Sequence, residues 1–243
     1  MNYTELYNTI QSYTENQFPA VYLASSSTVS TTTQINTFIT QAEQRIYNSV
    51  QFPFLRKNVT AVTTVNNKYL ACPTDFLSTF SLAVIDATGA YEYLLNKDVN
   101  FIRQAYPLPT YTAIPKYYAL FGPTTTSGPS PTITNELSFI LGPTPDTGYA
   151  VELHYYYYPE SITTVASGQT WLGDNFDTVL LYGSLVEAYT FMKGEVDIIT
   201  GYNQKYMEAL ALAQRLGDGL ERSDAYRSGQ YRQAPLPQNS GVR

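Results

Sequence analysis

Residues Val179–Met192 read VLLYGSLVEAYTFM. Val179, Leu180, Leu181, Leu185, Val186 and Tyr189 go almost all the way round a helix drawn at 3.6 residues per turn. The run is too short and too polar to span a bilayer. A helix that is apolar on every side must be covered on every side by other helices, so this stretch predicts the centre of a bundle. Asp174 or Asn175 is the predicted cap, Lys193 the predicted end, and Gly194 the break. Val196, Ile199, Tyr202, Tyr206, Leu210, Ala213 and Leu216 then mark a last helix, which Gly217 is expected to stop.

Working outward, the covering helices lie at the far end of the chain. Asn2 followed by Glu5 resembles a capping box before Leu6, Ile10 and Tyr13. A second helix carries Ile35, Phe38, Ile39, Ala42 and Ile46 at helical spacing, with Thr33 as the predicted cap and Pro53 marking its end. Between them runs a loop rich in Ser and Thr.

From Asn58 the apolar period changes to two. VTAVTTV and KYLA, joined by Asn66-Asn67, read as a hairpin. FSLAVID and YEYLL follow through Ala87-Thr88-Gly89. NKDVNFIRQAY reads as a short helix ending before Pro107. PKYYALFG, NELSFILGP and GYAVELHYYYYP complete about seven strands, enough for a small antiparallel sandwich or barrel. The expected class is α+β: a four-helix bundle built from residues 1–57 and 171–217, a β-domain inserted at 58–170, and an extended C-terminal arm at 218–243.

Charged residues make up 14% of the chain, against roughly 25% in ordinary soluble proteins, while 23 residues are Tyr. Tyrosine pairs a large contact area with a polar tip and suits surfaces that meet other surfaces. The net charge of −6 speaks against a sequence-specific nucleic-acid binder. The arm is locally basic, with five Arg from Arg215 onward against three acids. One Cys and one His exclude a disulfide framework and argue against a Cys/His zinc site. MNYTELYNTI carries an acid and no basic region, so it does not read as a signal peptide.

Catalytic constellations are weak. Ser184, His154 and an Asp could form a triad, but Ser184 lies inside an apolar helix and not on a G-x-S-x-G elbow. Asp174 and Asp177 read as charges at a helix start; with Asn175 they lack the spacing of a calcium loop. Gly122, Gly128, Gly142 and Gly148 stand beside prolines in turns and do not form a phosphate loop. Asn2 and Asn58 begin chance glycosylation sequons. Tyr155–Tyr158 alternates faces along a strand, so two tyrosines point away from the core. No enzyme activity, cofactor, metal or membrane is expected.

Four stretches together resemble the head-to-tail adaptor proteins of tailed, especially short-tailed, bacteriophages. They are FITQAEQRIYNSVQFPFLRKNVT; KYYALFG with LSFILGPTPDTGYAVELHYYYYP; WLGDN; and LLYGSLVEAYTFMKGEVDIITGYNQKYMEAL. The likeness runs from about Gln34 to Gly217 and rests on packing patterns in a fixed order. It implies a structural virion protein, assembled in the host cytoplasm and placed at the head–tail junction. It also implies a homo-oligomeric ring, usually dodecameric, that binds the portal protein and a nozzle or other tail protein. The ring would continue the channel through which DNA passes without specific recognition. The portal-binding arm is then expected to use Arg222, Tyr226, Arg227, Tyr231 and Arg232. Tyr156, Tyr158, Pro123 and Pro131 of the β-domain would touch the tail or a neighbouring subunit. Rival readings are another tail component (a completion or nozzle subunit), a carbohydrate-binding tail module using the tyrosine strand, and a tail-associated hydrolase.

Overall fold

The computed structural model describes residues 1–22, 28–108, 110–122, 124–125, 133–135 and 137–230. In chain order the elements are α1 (Tyr3–Thr14), β1 (Val21–Tyr22), β2 (Thr28–Val29), α2 (Thr31–Ser49), a 3-10 turn (Pro53–Leu55), β3 (Arg56–Val62), β4 (Tyr69–Ala71), β5 (Ser78–Ile85), β6 (Tyr91–Tyr93) and β7 (Leu95–Asn96). Then come α3 (Val99–Ala105), β8 (Tyr117–Phe121), β9 (Thr124–Thr125), β10 (Ile133–Asn135), β11 (Ser138–Gly142), β12 (Ala150–Tyr156), α4 (Trp171–Asn175), α5 (Asp177–Phe191) and α6 (Val196–Gln230). The protein is α+β, and among the described residues its two four-stranded sheets do not close into a barrel. It divides into two units: Met1–Pro53 with the chain from Pro159 onward, and Phe54–Tyr158.

The helical unit is organised round α5. Val179, Leu180, Leu181, Gly183, Ser184, Leu185, Val186 and Ala188 are all buried, on all sides of the helix. Helices α1, α2, α4 and α6 pack against it. Burying one such Val or Leu side chain stabilises by about 1.5–3 kcal/mol. The Ser184 hydroxyl donates back to the Leu180 carbonyl at 2.8 Å, which lets it sit in this apolar surrounding at no unmet polar cost. Arg45 of α2 pairs with Glu187 of α5 at the rim.

Local chemistry sets the helix starts. Asn2 and Glu5 form the expected reciprocal capping box on α1. Helix α2 starts earlier than predicted: Ser30 is the cap, its hydroxyl accepting from the Thr33 N–H at 3.2 Å. Ahead of α5 the chain makes a separate short helix, α4, capped by Thr170, and α5 itself has no side-chain cap. Asp174 and Asn175 therefore do not cap α5; they lie within α4. At the far end Lys193 adopts a left-handed conformation and α5 stops there. Tyr13, expected in the core, is exposed, and Thr14 is buried in its place.

Gly217 does not stop the last helix. Helix α6 runs through it for 35 residues, to Gln230, about 52 Å at 1.5 Å per residue. A Cβ at Gly217 would lie 2.9 Å from the Gln51 carbonyl oxygen and 3.0 Å from Val50 Cγ1. The glycine is thus a point of close approach to the end of α2, where the Gln214 amide also donates to the Ser49 carbonyl at 3.2 Å. Residues 218–230, expected to be extended, are helical. Leu216 and Val196, read as core positions, are exposed.

In the other unit β3, β12, β5 and β6 form one sheet, antiparallel throughout. The second sheet has the order β4, β11, β8, β7, with β7 and β8 parallel. The expected hairpin between VTAVTTV and KYLA is absent. β3 pairs with β12 and β4 with β11, so consecutive strands enter different sheets. The turn survives without the pairing: Asn66 takes a positive φ, and its N–H bonds to the Pro145 carbonyl at 2.9 Å instead of to its own strand. The hairpin through Asp86–Ala90 does form, with the Asp86 carboxylate accepting from the Thr88 and Ala90 N–H groups. Leu82, Val84, Val151, Leu153 and Tyr155 from the first sheet share one core cluster with Tyr118, Phe139 and Leu141 from the second.

Buried Glu43 on α2 accepts from the Ile162 N–H at 3.0 Å. Burial raises its pKa, with the bonds from Ile162 and Ser161 opposing. A carboxyl whose folded pKa is raised contributes stability that is fully present below the unfolded pKa and is lost as pH rises through the folded value. Glu43→Gln, which keeps an acceptor for Ile162, should therefore flatten the loss of stability as pH rises above about 4.3. Glu43→Ala leaves a buried N–H unpaired and should cost about 1–3 kcal/mol at all pH values. Urea titrations across pH 4–8 check both. Paired glycine variants test the packing of α6. Gly217→Ala should destabilise by about 1–3 kcal/mol. Gly201→Ala, on the same helix with nothing within 4 Å of the added carbon, should stabilise by about 0.5–1 kcal/mol.

Candidate interaction surfaces

Period two along β12 sorts its side chains. Val151, Leu153 and Tyr155 are buried, while Glu152, His154 and Tyr156 are only partly buried. The tyrosine run continues this division: Tyr157 packs against the core cluster and Tyr158 is exposed. Of the β-unit residues predicted to make contacts, Tyr156 and Tyr158 therefore lie outside the core. Pro123 and Pro131 lie outside the described residues.

Register builds a surface around Tyr156. It stands opposite Arg56 of β3 and Ser78 of β5. The pairing of β12 with β5 shifts between His154 and Tyr155, leaving Phe80 without an opposite residue, 52% exposed. Phe80 and Tyr156 meet edge to face at 6.1 Å, and the Arg56 guanidinium lies over both rings, at 4.7 and 5.6 Å from their centres. Tyr, Phe and Arg in one cluster is the composition of protein-contact anchors. Arg56 already occupies a face of each ring, which leaves less ring face for stacking a sugar.

A polar cluster sits further along the same face. Glu152 accepts from Asn58 Nδ2 at 2.5 Å. It also takes a hydrogen bond from Tyr91, which holds the Tyr91 pKa above the ordinary phenol value. His154 places Nδ1 3.3 Å from the Ser81 hydroxyl and Nε2 3.8 Å from Glu152. Sequence reasoning missed Ser81, because only the strand register brings it opposite His154. The set does not make a hydrolytic triad: the His–Glu separation exceeds a hydrogen bond, and the histidine side chain is 41% exposed on the open face of a sheet. Ser184, weighed and set aside as a nucleophile from its helical setting, is fully buried with its hydroxyl donating to the Leu180 carbonyl. Among the described residues no group of three or more His, Cys, Asp or Glu side chains is placed to hold a metal ion. Nor is any described helix long and apolar enough to cross a membrane.

Arg222, Tyr226 and Arg227 lie on the C-terminal part of α6, beyond the Gly217 contact. Tyr231 and Arg232 lie outside the described residues.

The described residues thus present a helical unit closed round α5, a two-sheet unit inserted in its sequence, and exposed aromatic and polar clusters on the open face of one sheet. The chain belongs to the SU10 adaptor protein family, whose family model matches residues 1–234. It is therefore a phage adaptor protein, and the family implies a structural role without catalysis, in the virion and in contact with portal and tail proteins. No curated protein matches the chain.

The face assignment on β12 has a direct test. Tyr155→Ala should cost about 3–5 kcal/mol, as expected for a large buried ring. Tyr156→Ala should cost less than about 1 kcal/mol, as expected for a surface position. Denaturant unfolding followed by near-ultraviolet circular dichroism separates the two.

Proposed function

We propose that the protein is a ring-forming adaptor that connects the portal to the tail and continues the DNA exit channel, with a dodecamer as the expected ring. In this reading α1, α2, α5 and α6 form a four-helix bundle whose flanks pack subunit on subunit. Contacts that repeat head to tail close into a ring when the rotation between subunits allows it. The two sheets act as a sandwich-like domain whose Tyr156 and Tyr158 surface, with the loop carrying Pro123 and Pro131, meets a neighbour or the next tail component. Residues 218–243 serve as the portal-binding arm, with Arg222, Tyr226, Arg227, Tyr231 and Arg232 as its anchors.

Beside the family membership, the observation that carries this reading is the length of α6. The helix continues for 13 residues past Gly217, a position at which α6 closes on the end of α2. That segment, DGLERSDAYRSGQ, contains two glycines and two serines. Glycine and serine are poor helix formers, so a docking partner is the natural source of its stability. The net charge of −6 supports passage of DNA without binding, since a strongly basic channel would hold phosphates with salt-sensitive affinity. Protein contact is favoured over a glycan-binding role by the stacking of Arg56 on Phe80 and Tyr156.

Deleting residues 219–243 should leave the helical circular dichroism signal of the remaining chain intact and abolish co-sedimentation with portal particles. Continued co-sedimentation of the truncated protein refutes the arm assignment. A twelve-fold ring in electron micrographs of the portal complex is the expected assembly, and a chain that stays monomeric in the presence of portal refutes the ring.

A further inference from the structure

Glu152 and His154 alternate along β12 with buried core residues, so both stand on the open face of their sheet. The register gathers one residue round them from each of the other three strands. His154 has Asn58 of β3 on one side and Ser81 of β5 on the other. Glu152 accepts from the Asn58 amide at 2.5 Å and from the hydroxyl of Tyr91 on β6. The histidine meets the Ser81 hydroxyl through Nδ1 at 3.3 Å, while its Nε2 stands 3.8 Å from Glu152 Oε1. A protonated Nε2 beside a carboxylate closes to about 2.7–2.9 Å. At 3.8 Å no such bond is made, so the geometry assigns the imidazole proton to Nδ1, donated to Ser81, and leaves a lone pair on Nε2.

We propose that Glu152 Oε1 and His154 Nε2 together bind a zinc ion, with water completing its coordination. Two ligands of one tetrahedral zinc, each at about 2.1 Å, lie about 3.4 Å apart, so small side-chain rotations bring this pair onto a common ion. One imidazole and one carboxylate suit zinc; magnesium and calcium require oxygen ligands. Both ligands are already oriented from behind. Ser81 fixes the histidine tautomer, and Asn58 and Tyr91 fix the carboxylate, as the outer partners of metal ligands do. A carboxylate has about four lone-pair positions, so these two bonds do not exhaust it. The histidine side chain is 41% exposed, which gives an ion access. Arg56, the cation at the Tyr156 end of this face, is held over the Phe80 and Tyr156 rings. Among the described residues no third His, Cys, Asp or Glu completes a cluster here, so the site has two protein ligands and open positions. Its residues and their supports come from all four strands, and a bound ion ties the sheet together across its width. The site is independent of which partner Tyr156 and Tyr158 meet.

His154 is the only histidine in the chain, so the whole untagged protein gives one imidazole signal set in nuclear magnetic resonance spectra. Zinc chloride is titrated against it, with calorimetry in parallel. The Nε2 resonance should move and saturate at one equivalent while Nδ1 stays protonated, and zinc should raise the urea midpoint, because an ion that binds only the folded state stabilises it. Magnesium chloride should do neither. His154→Ala should abolish the calorimetric signal, and Glu152→Gln should weaken binding at least tenfold. Ser81→Ala should weaken it by about tenfold, the usual loss when an outer partner of a ligand is removed. Glu160→Gln, at an exposed acid in the other unit, should leave the affinity unchanged. All four variants should keep the wild-type circular dichroism spectrum. An Nε2 resonance that stays in place at millimolar zinc overturns the proposal. So does equal affinity in Glu152→Gln, which makes the histidine a lone adventitious ligand. An equal response to magnesium overturns it as well, since the site then selects no nitrogen-binding ion.

Discussion

Helix α5 has no face it can show to water. Its buried positions fall on every side, so its stability depends on being enclosed, and the enclosing helices come from both ends of the chain. That single requirement brings α1 and α2 together with α4 and α6, and it turns everything between Pro53 and Pro159 into an excursion of the chain. The accommodations within the helical unit follow from the same crowding. Gly183 faces α2 and α6, where a Cβ would approach Ala42 and Tyr206 to 3.2 Å. Ser184 satisfies itself internally, and the one acid on α5 beyond its first turn, Glu187, finds Arg45 at the rim. A central helix with larger side chains at 183 or free polar groups at 184 would not close.

The parts of this architecture that were legible in the sequence are those set by local period. Apolar spacing marked the helices at both ends, and alternation marked the strands between them. The capping box at Asn2 and Glu5 was legible because both partners lie within one turn. What was not legible depends on partners remote in sequence. β3 and β4 are neighbours in the chain with a turn between them, yet β3 pairs with β12 and β4 with β11, partners remote in sequence. Gly217 carries the signature of a helix stop, and only the approach of Val50 and Gln51 shows that its missing side chain serves contact instead. Ser81 and His154 are far apart in sequence and meet through register. The outward position of Phe80 comes from an irregularity in pairing that no alternation rule anticipates.

Family membership and surface chemistry bear on each other. Singly exposed apolar residues are normal on any protein, but here they gather on particular elements. Val196, Ile198, Met207, Leu212 and Leu216 are exposed on α6, and Phe80, Tyr91 and Tyr93 on β5 and β6. On α6, Ile198, Leu212 and Leu216 fall on one stripe of the helix, to the side of buried Tyr206, Ala209, Leu210 and Ala213. A low content of charge reinforces this, because few exposed charges need to be desolvated when such a surface is covered. An adaptor must hold several partners at once through surfaces, with no cleft chemistry to assist. This chain encloses α5 within the helical unit and exposes apolar side chains on α6 and, in the other unit, aromatic ones on β5 and β6.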